Sequence, residues 1–203
     1  MTRQADILLE SEGNAWLERN REKLGKTDDP VSDLIALSGI KPVRLLEIGC
    51  SNGWRLKRLH AQYGCVIAGI DPSEMAVRES GLHTIVRGTA DALPFASNQF
   101  DVVICGFFIY YADPQDYLRI AAEADRVLCE GGCLLVYDFV SARPFKARYT
   151  YHAEIFSHHF DPSNLWLGHP AYRRISDRYA PRTTECVSLL RKNTEAGFPL
   201  EAS

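Results

Sequence analysis

The chain has 203 residues, 46% of them hydrophobic and 24% charged, which is enough to bury one substantial core and excludes a largely disordered chain. A net charge of -3 with a pI near 6.1 argues against wrapping nucleic acid, because phosphate neutralisation dominates that affinity. No run approaches the roughly 20 apolar residues of a spanning helix. The opening MTRQADILLESEGNAW also lacks the apolar core of a signal peptide, so the expectation is a cytoplasmic protein with no membrane partner.

Charge is unevenly spread. Residues 139–203 carry nine Lys/Arg against six Asp/Glu, a local +3 that leaves -6 for residues 1–138; four of the six histidines also fall in this last part. The six cysteines sit mostly in apolar runs and form no C-x-x-C pair, so they read as reduced core residues. A metal site on Cys129 and Cys133 lacks further ligands at zinc spacing.

In chain order, Ala5 to Leu24 reads as helical turns lying over something, with Trp16 and Leu17 as anchors. Asp29 can cap the next helix, Pro30 suits its first position, Val31, Leu34 and Ile35 share a face, and Gly39 ends it. VRLLEIG is a strand, CSNG a turn, and Trp54 to Tyr63 a helix; CVIAGI is a second strand and Pro72 to Ser80 a helix. A third strand lies near His83 to Val86, a fourth at DVVICGF and a fifth at CLLVYDF. Between the last two, Asp113 and Pro114 open an amphipathic helix that Gly131 and Gly132 stop. After Phe139 the rhythm breaks into an aromatic, basic insert from Arg143 through Arg182, followed by a strand-like CVSLLRK. Apolar strands alternating with amphipathic helices imply a parallel sheet covered on both faces, a doubly wound α/β fold.

Ligands of such sheets bind beyond the carboxyl ends of the strands. The first strand ends in Glu47, Gly49, Cys50, Ser51 and Gly53, where glycines permit a tight turn and Glu47 places a carboxylate beneath it. Asp71 ends the second strand about 20 residues later, where an acid accepts hydrogen bonds from ribose hydroxyls. A dinucleotide enzyme is the rival. Its loop would read G-x-G-x-x-G, whereas this one reads GCSNG, and Glu47 would repel a pyrophosphate while suiting a sulfonium and an ammonium.

LLEIGCSNG, GIDPSEMAV, GTADALPFASNQFDVVICGF and LCEGGCLLVYDF, in this order and spacing, resemble the motifs of the class I S-adenosylmethionine-dependent methyltransferases that act on small molecules. The resemblance covers Val43 to Phe139. It implies one domain over residues 1–203 with a mostly parallel, seven-stranded Rossmann-like sheet and helices on both faces. Residues 1–40 would form a helical cap, 41–139 the cofactor core and 140–203 the substrate side. It also implies S-adenosylmethionine as cofactor, held by Gly49, Cys50, Ser51 and Gly53 with Glu47 organising the loop, and by Asp71 on the ribose. Pro72, Met75, Asp91 and the Ala92 amide would meet the adenine, and Gly106 and Phe107 the methionine portion. Ser51 stands where the commonest form of the first motif has glycine.

Methyl transfer is an in-line displacement in which a base is optional. Candidate bases are Tyr110, Tyr111, Asp138, His152, His158 and His159, with His152 and Asp138 ranked first. CGFFIYY after the fourth strand lacks the Asp/Asn-Pro-Pro-aromatic motif of the family's base- and glutamine-modifying members, which leaves a small-molecule acceptor. An anionic sugar or natural-product intermediate would find counter-charges in Arg173, Arg174 or Arg178. A module that holds the cofactor without turnover is the alternative, with a dehydrogenase less favoured.

Overall fold

The computed structural model describes residues 3–26, 28–180 and 183–198; Arg182 lies outside them. Seven strands form one sheet in the order β3-β2-β1-β4-β5-β9-β8. These are β1 (Arg44–Ile48), β2 (Val66–Asp71), β3 (Ile85–Arg87), β4 (Phe100–Gly106), β5 (Leu128–Phe139), β8 (Tyr172–Tyr179) and β9 (Glu185–Lys192). The first five run parallel, and β9 inserts antiparallel between β5 and β8.

Alternation along the strands shows why the sheet is covered twice. Leu45, Val102, Ile104 and Leu135 point into one buried cluster with Val31, Leu34 and Ile35 of α3 (Pro30–Leu37) and Leu56 and Leu59 of α4 (Trp54–Tyr63). Leu46, Val103, Cys105 and Leu134 point into the other, against Ile120, Ala124 and Val127 of α6 (Tyr117–Val127) and Trp166 of α7 (Asn164–Leu167). Each such side chain contributes roughly 1.5–3 kcal/mol on burial, so a strand apolar on both sides is stable only between two helical layers. Among the described residues no helix is long and apolar enough to cross a membrane.

Several local expectations change. The helix expected from Pro72 begins at Glu74: Ser73 caps α5 (Glu74–Ser80), its hydroxyl accepting from the Ala76 amide. Helix α6 ends at Val127, and Gly131, at φ 74°, lies inside β5, where the pairing with β4 slips between Phe100 and Val102. The late segment is more ordered than its composition suggests: it holds the hairpin β6 (Phe145–Arg148) and β7 (Phe156–His159), then α7 and β8. All six cysteines are free thiols, with Cys129 only half-buried. At the other end of the chain, α1 (Gln4–Ile7), a π-helical turn (Leu8–Glu12) and α2 (Gly13–Asn20) form one continuous helical run. Gln4 binds it to two other elements, with its Nε2 donating to the carbonyls of Tyr111 and Phe156 and its Oε1 accepting from the Phe156 amide. The last described helix is α8 (Thr194–Gly197).

Candidate active site

Chain direction across the sheet reverses between β1 and β4, and the carboxyl ends of β1, β2 and β4 open into a cavity of about 280 Å³. The loop after β1 forms part of its wall. Gly49 has φ 75°, and a Cβ there would lie 3.1 Å from the Phe108 ring and 3.2 Å from the Gly106 carbonyl, so only glycine lets this loop approach the end of β4. Ser51 also adopts a left-handed backbone, φ 50°, at the position where the family's motif commonly has glycine. Its amide donates to Asp71 Oδ2 at 2.7 Å while the Ser73 amide donates to Oδ1 at 2.9 Å. One carboxylate thus joins the end of β2 to the loop after β1. Burial pushes Asp71 up to about 6 against the pull of these two amides.

Beneath the loop lies a buried ion cluster. Arg55, 6% exposed on the first turn of α4, donates through Nε to Asp29 Oδ1 at 3.0 Å and through Nη1 to Glu47 Oε1. Asp29 also accepts from the Ser32 hydroxyl at 2.5 Å, so its carboxylate serves Arg55 and Ser32 rather than the helix amides it was expected to cap. Glu47 is 1% exposed, and its Oε2 is buried with no hydrogen-bond partner among the described residues. Burial pushes Glu47 up to about 7, with Arg55 opposing the shift and the Asp29 and Asp71 carboxylates adding to it.

The roof comes from the N-terminal helices: Ala5, Leu8, Glu12, Gly13 and Trp16 all line the cavity. Arg3 fastens this roof at the rim, donating to Asp91 at 2.6 Å and to Asp116 at 2.9 Å. Burial disfavours the Asp91 carboxylate, but hydrogen bonds from Thr89 and Arg3 prevail and hold its pKa below the usual value.

Of the residues expected at the cofactor, Glu47, Gly49, Cys50, Ser51, Asp71, Pro72, Asp91, Gly106 and Phe107 line this one cavity. Gly53, Met75 and Ala92 do not: Gly53, at φ 71°, sits at the start of α4, the Met75 sulfur receives Arg21 Nη2 at 3.1 Å, and the Ala92 amide donates back to the Thr89 carbonyl. The two leading candidate bases also lie off the cavity lining. Asp138 is 1% exposed and accepts from the amides of Tyr110 at 3.2 Å and Phe139 at 2.7 Å, which makes it an anchor for the turn after β4. His152 Nδ1 accepts from the Glu154 amide within a turn. Arg174 pairs with Asp161 and Asp177, and Arg178 with Asp33; neither they nor Arg173 reach the cavity wall. Sequence reasoning missed Glu12, Arg55, Thr89, Asp113, Asp116, Tyr137 and Glu185 as wall residues.

Residues 46–136 match the family model described as "Methyltransferase domain". An uncharacterized protein of Haemophilus influenzae is 32% identical over 52% of this chain and 46% of its own length. An uncharacterized methyltransferase of Synechocystis is 29% identical over 54% of this chain and 51% of its own. The chain thus spans about half the length of these curated relatives. Among solved structures, a Burkholderia thailandensis 1,6-didemethyltoxoflavin-N1-methyltransferase with bound 1,6-didemethyltoxoflavin and S-adenosylhomocysteine superposes with a TM-score of 0.71 at 15% identity, covering 95% of this chain and 91% of that one. The motif match across β1 to β5 and the antiparallel β9 closing a parallel sheet agree: residues 46–136 are a methyltransferase domain, set in a sheet with the fold of the class I S-adenosylmethionine-dependent methyltransferases.

Proposed function

We propose that this protein transfers a methyl group from S-adenosylmethionine to a small-molecule acceptor held between the β4 end of the sheet and the N-terminal roof. The observation that carries the reading is Glu47 Oε2, a buried carboxylate oxygen in the cavity wall without a partner among the described residues. Leaving such an oxygen unsatisfied costs on the order of 1–3 kcal/mol or more. The ammonium of an amino-acid ligand would satisfy it, and a pyrophosphate would worsen it. The residues present fit the donor along its length: Glu47 for the ammonium, Asp71 with lone pairs left for ribose hydroxyls, Pro72 and Asp91 for the adenine end, and Gly106 with Phe107 for the methionine portion. When bound, the donor supplies an electrophilic methyl group on a sulfonium. The chain's own work is to hold the acceptor in line and to exclude water.

The acceptor that suits this cavity is neutral or cationic. Among the described residues nine Asp/Glu line it and Arg55 is the one basic side chain in its wall; Arg3 and Arg19 pair with Asp91, Asp116 and Glu12 from outside the wall, and Arg174 and Arg178 are engaged elsewhere. The favoured division keeps residues 1–40 as roof, 41–139 as donor site and 140–203 as acceptor-side support, in a cytoplasmic protein. Calorimetry with S-adenosylmethionine, S-adenosylhomocysteine and NAD tests the donor assignment, and NAD binding without response to the sulfur ligands would defeat it. Mass spectrometry of a metabolite extract incubated with protein and donor should then show one compound gaining the mass of a methylene, from the neutral or cation-exchange fraction.

A further inference from the structure

The roof contains a buried carboxylate that the donor site leaves unused. Glu12 closes the π-helical turn Leu8–Glu12, which brings both Leu8 and Glu12 to the cavity wall. Such turns are rare distortions of an α-helix and recur at functional sites. Glu12 is 4% exposed. Arg19 and Tyr149 both donate to its Oε1, Tyr149 at 2.8 Å, and Arg19 Nη2 also donates to the Tyr149 oxygen at 2.8 Å. Arg19 is itself held with its guanidinium 4.2 Å from the Tyr151 ring centroid, and Tyr149 packs edge-on against Tyr111 at 5.0 Å. Tyr111 lines the same cavity, beyond β4. The described residues therefore fix one carboxylate oxygen from two sides. Oε2 receives no bond from them, and Glu12 is part of the cavity wall.

Resting on the methyl-transfer reading above, we propose that Glu12 is the general base of the reaction and that the acceptor is a small molecule methylated on an O–H or N–H group. As the acceptor's oxygen or nitrogen forms its bond to the methyl carbon, the carbon–sulfur bond breaks and its electron pair leaves on sulfur as a neutral thioether. The acceptor's proton passes to Glu12 Oε2. Charge balances: the sulfonium and the carboxylate are both neutralised, and Arg19 with Tyr149 keeps the side chain aimed while Oε2 works. Asp138, whose carboxylate accepts from two backbone amides, does not line the cavity.

The test compares wild type, Glu12→Gln, Glu12→Asp and Tyr149→Phe. Product formation is followed by mass spectrometry with the small-molecule fraction of a cell extract as acceptor source, and S-adenosylmethionine affinity by calorimetry. Glu12→Gln should slow product formation by about 100-fold or more, the usual range for loss of a general base. Glu12→Asp should keep a measurable part of it, and donor affinity should stay within about twofold throughout. Tyr149→Phe leaves Glu12 in place and removes one bond to Oε1, and should slow turnover by roughly threefold to tenfold. Turnover near wild type in Glu12→Gln overturns the proposal, as does collapse of donor affinity, which would make Glu12 part of the donor site. If Glu12→Gln does not fold, unchanged turnover in Tyr149→Phe overturns it instead. A wild type that binds donor but forms no product removes the base together with the transfer reading, and a wild type that binds no donor defeats the donor assignment itself.

Discussion

Donor binding should be coupled to loss of a proton from Glu47. In the free protein burial raises this carboxyl to about 7, although Arg55 pulls it down. An ammonium placed on Oε2 favours the charged form and returns the pKa toward the ordinary carboxylate value, so below neutral pH the ligand must displace a proton. With a free-state pKa of about 7, the free protein is roughly half protonated at this position at pH 7 and about 97% protonated at pH 5.5. Affinity should therefore fall roughly fifteenfold between pH 7 and pH 5.5, about 1.6 kcal/mol, a range over which the ligand's own ammonium stays charged. Asp71, raised to about 6, adds to the same slope. Glu47→Gln separates the two contributions. Calorimetry at pH 7 in phosphate and in Tris should report about half a proton released per wild-type complex and close to none for Glu47→Gln. The sign for the free protein is opposite: its raised carboxyls ionise first in the unfolded chain, so stability should decline as pH rises from the ordinary carboxylate range to about 7. A buffer-independent enthalpy with pH-flat affinity would refute the placement of the ammonium on Glu47.

Arg55→Met should cost about 3–5 kcal/mol in urea unfolding, because Asp29 and Glu47 would be left as buried, uncompensated acids; a loss below about 1 kcal/mol would mean the cluster relaxes into water. Asp71→Ala should weaken donor binding by roughly 1.5–3 kcal/mol. It should also lower the stability of the free protein, since the Ser51 and Ser73 amides lose their acceptor; unchanged melting of the free variant would contradict that bridging role. Asp138→Ala should destabilise by about 1–3 kcal/mol through the orphaned Tyr110 and Phe139 amides, with turnover per folded molecule intact. A selective loss of turnover there would return Asp138 to the catalytic list.

Strands β1, β2, β4 and β5 were legible because a run buried on both faces needs apolar side chains at every position, as Leu45 and Leu46 show by entering opposite clusters. Strand β8 was not. It is an edge strand reading YRRISDRY, with only Tyr172 buried, and its charges form ion pairs, Arg174 with Asp161 and Asp177 and Arg178 with Asp33, instead of alternating with a core. Glu47 and Asp71 could be located by counting, since a strand-end position in a wound sheet is determined locally. Asp138 obeyed the same count, yet two backbone amides close over its carboxylate, and sequence carries no mark of that. Arg55 sits in WRLKRLH, where it looks like any solvated helix residue until Asp29 and Glu47 arrive from other elements. Glu12 depends on a π turn and on Tyr149, 137 residues away, and neither has a local signature.

The insertion of β9 between β5 and β8 also bears on how the chain reaches its native state. Strand β8 is synthesised before β9, the one strand it pairs with among the described residues, and β5 waits for the same partner along Cys133 to Phe139. Until residues 185–192 are available, two hydrogen-bonding edges stand open at once, one of them apolar on both faces, and such edges template intermolecular pairing. Closing this half of the sheet is a late, non-local event of high contact order, whereas β1, α4 and β2 can assemble from neighbouring residues. During refolding the donor-binding half should therefore acquire protection from hydrogen exchange before the β5–β9–β8 half, and aggregation should compete chiefly in the interval between them.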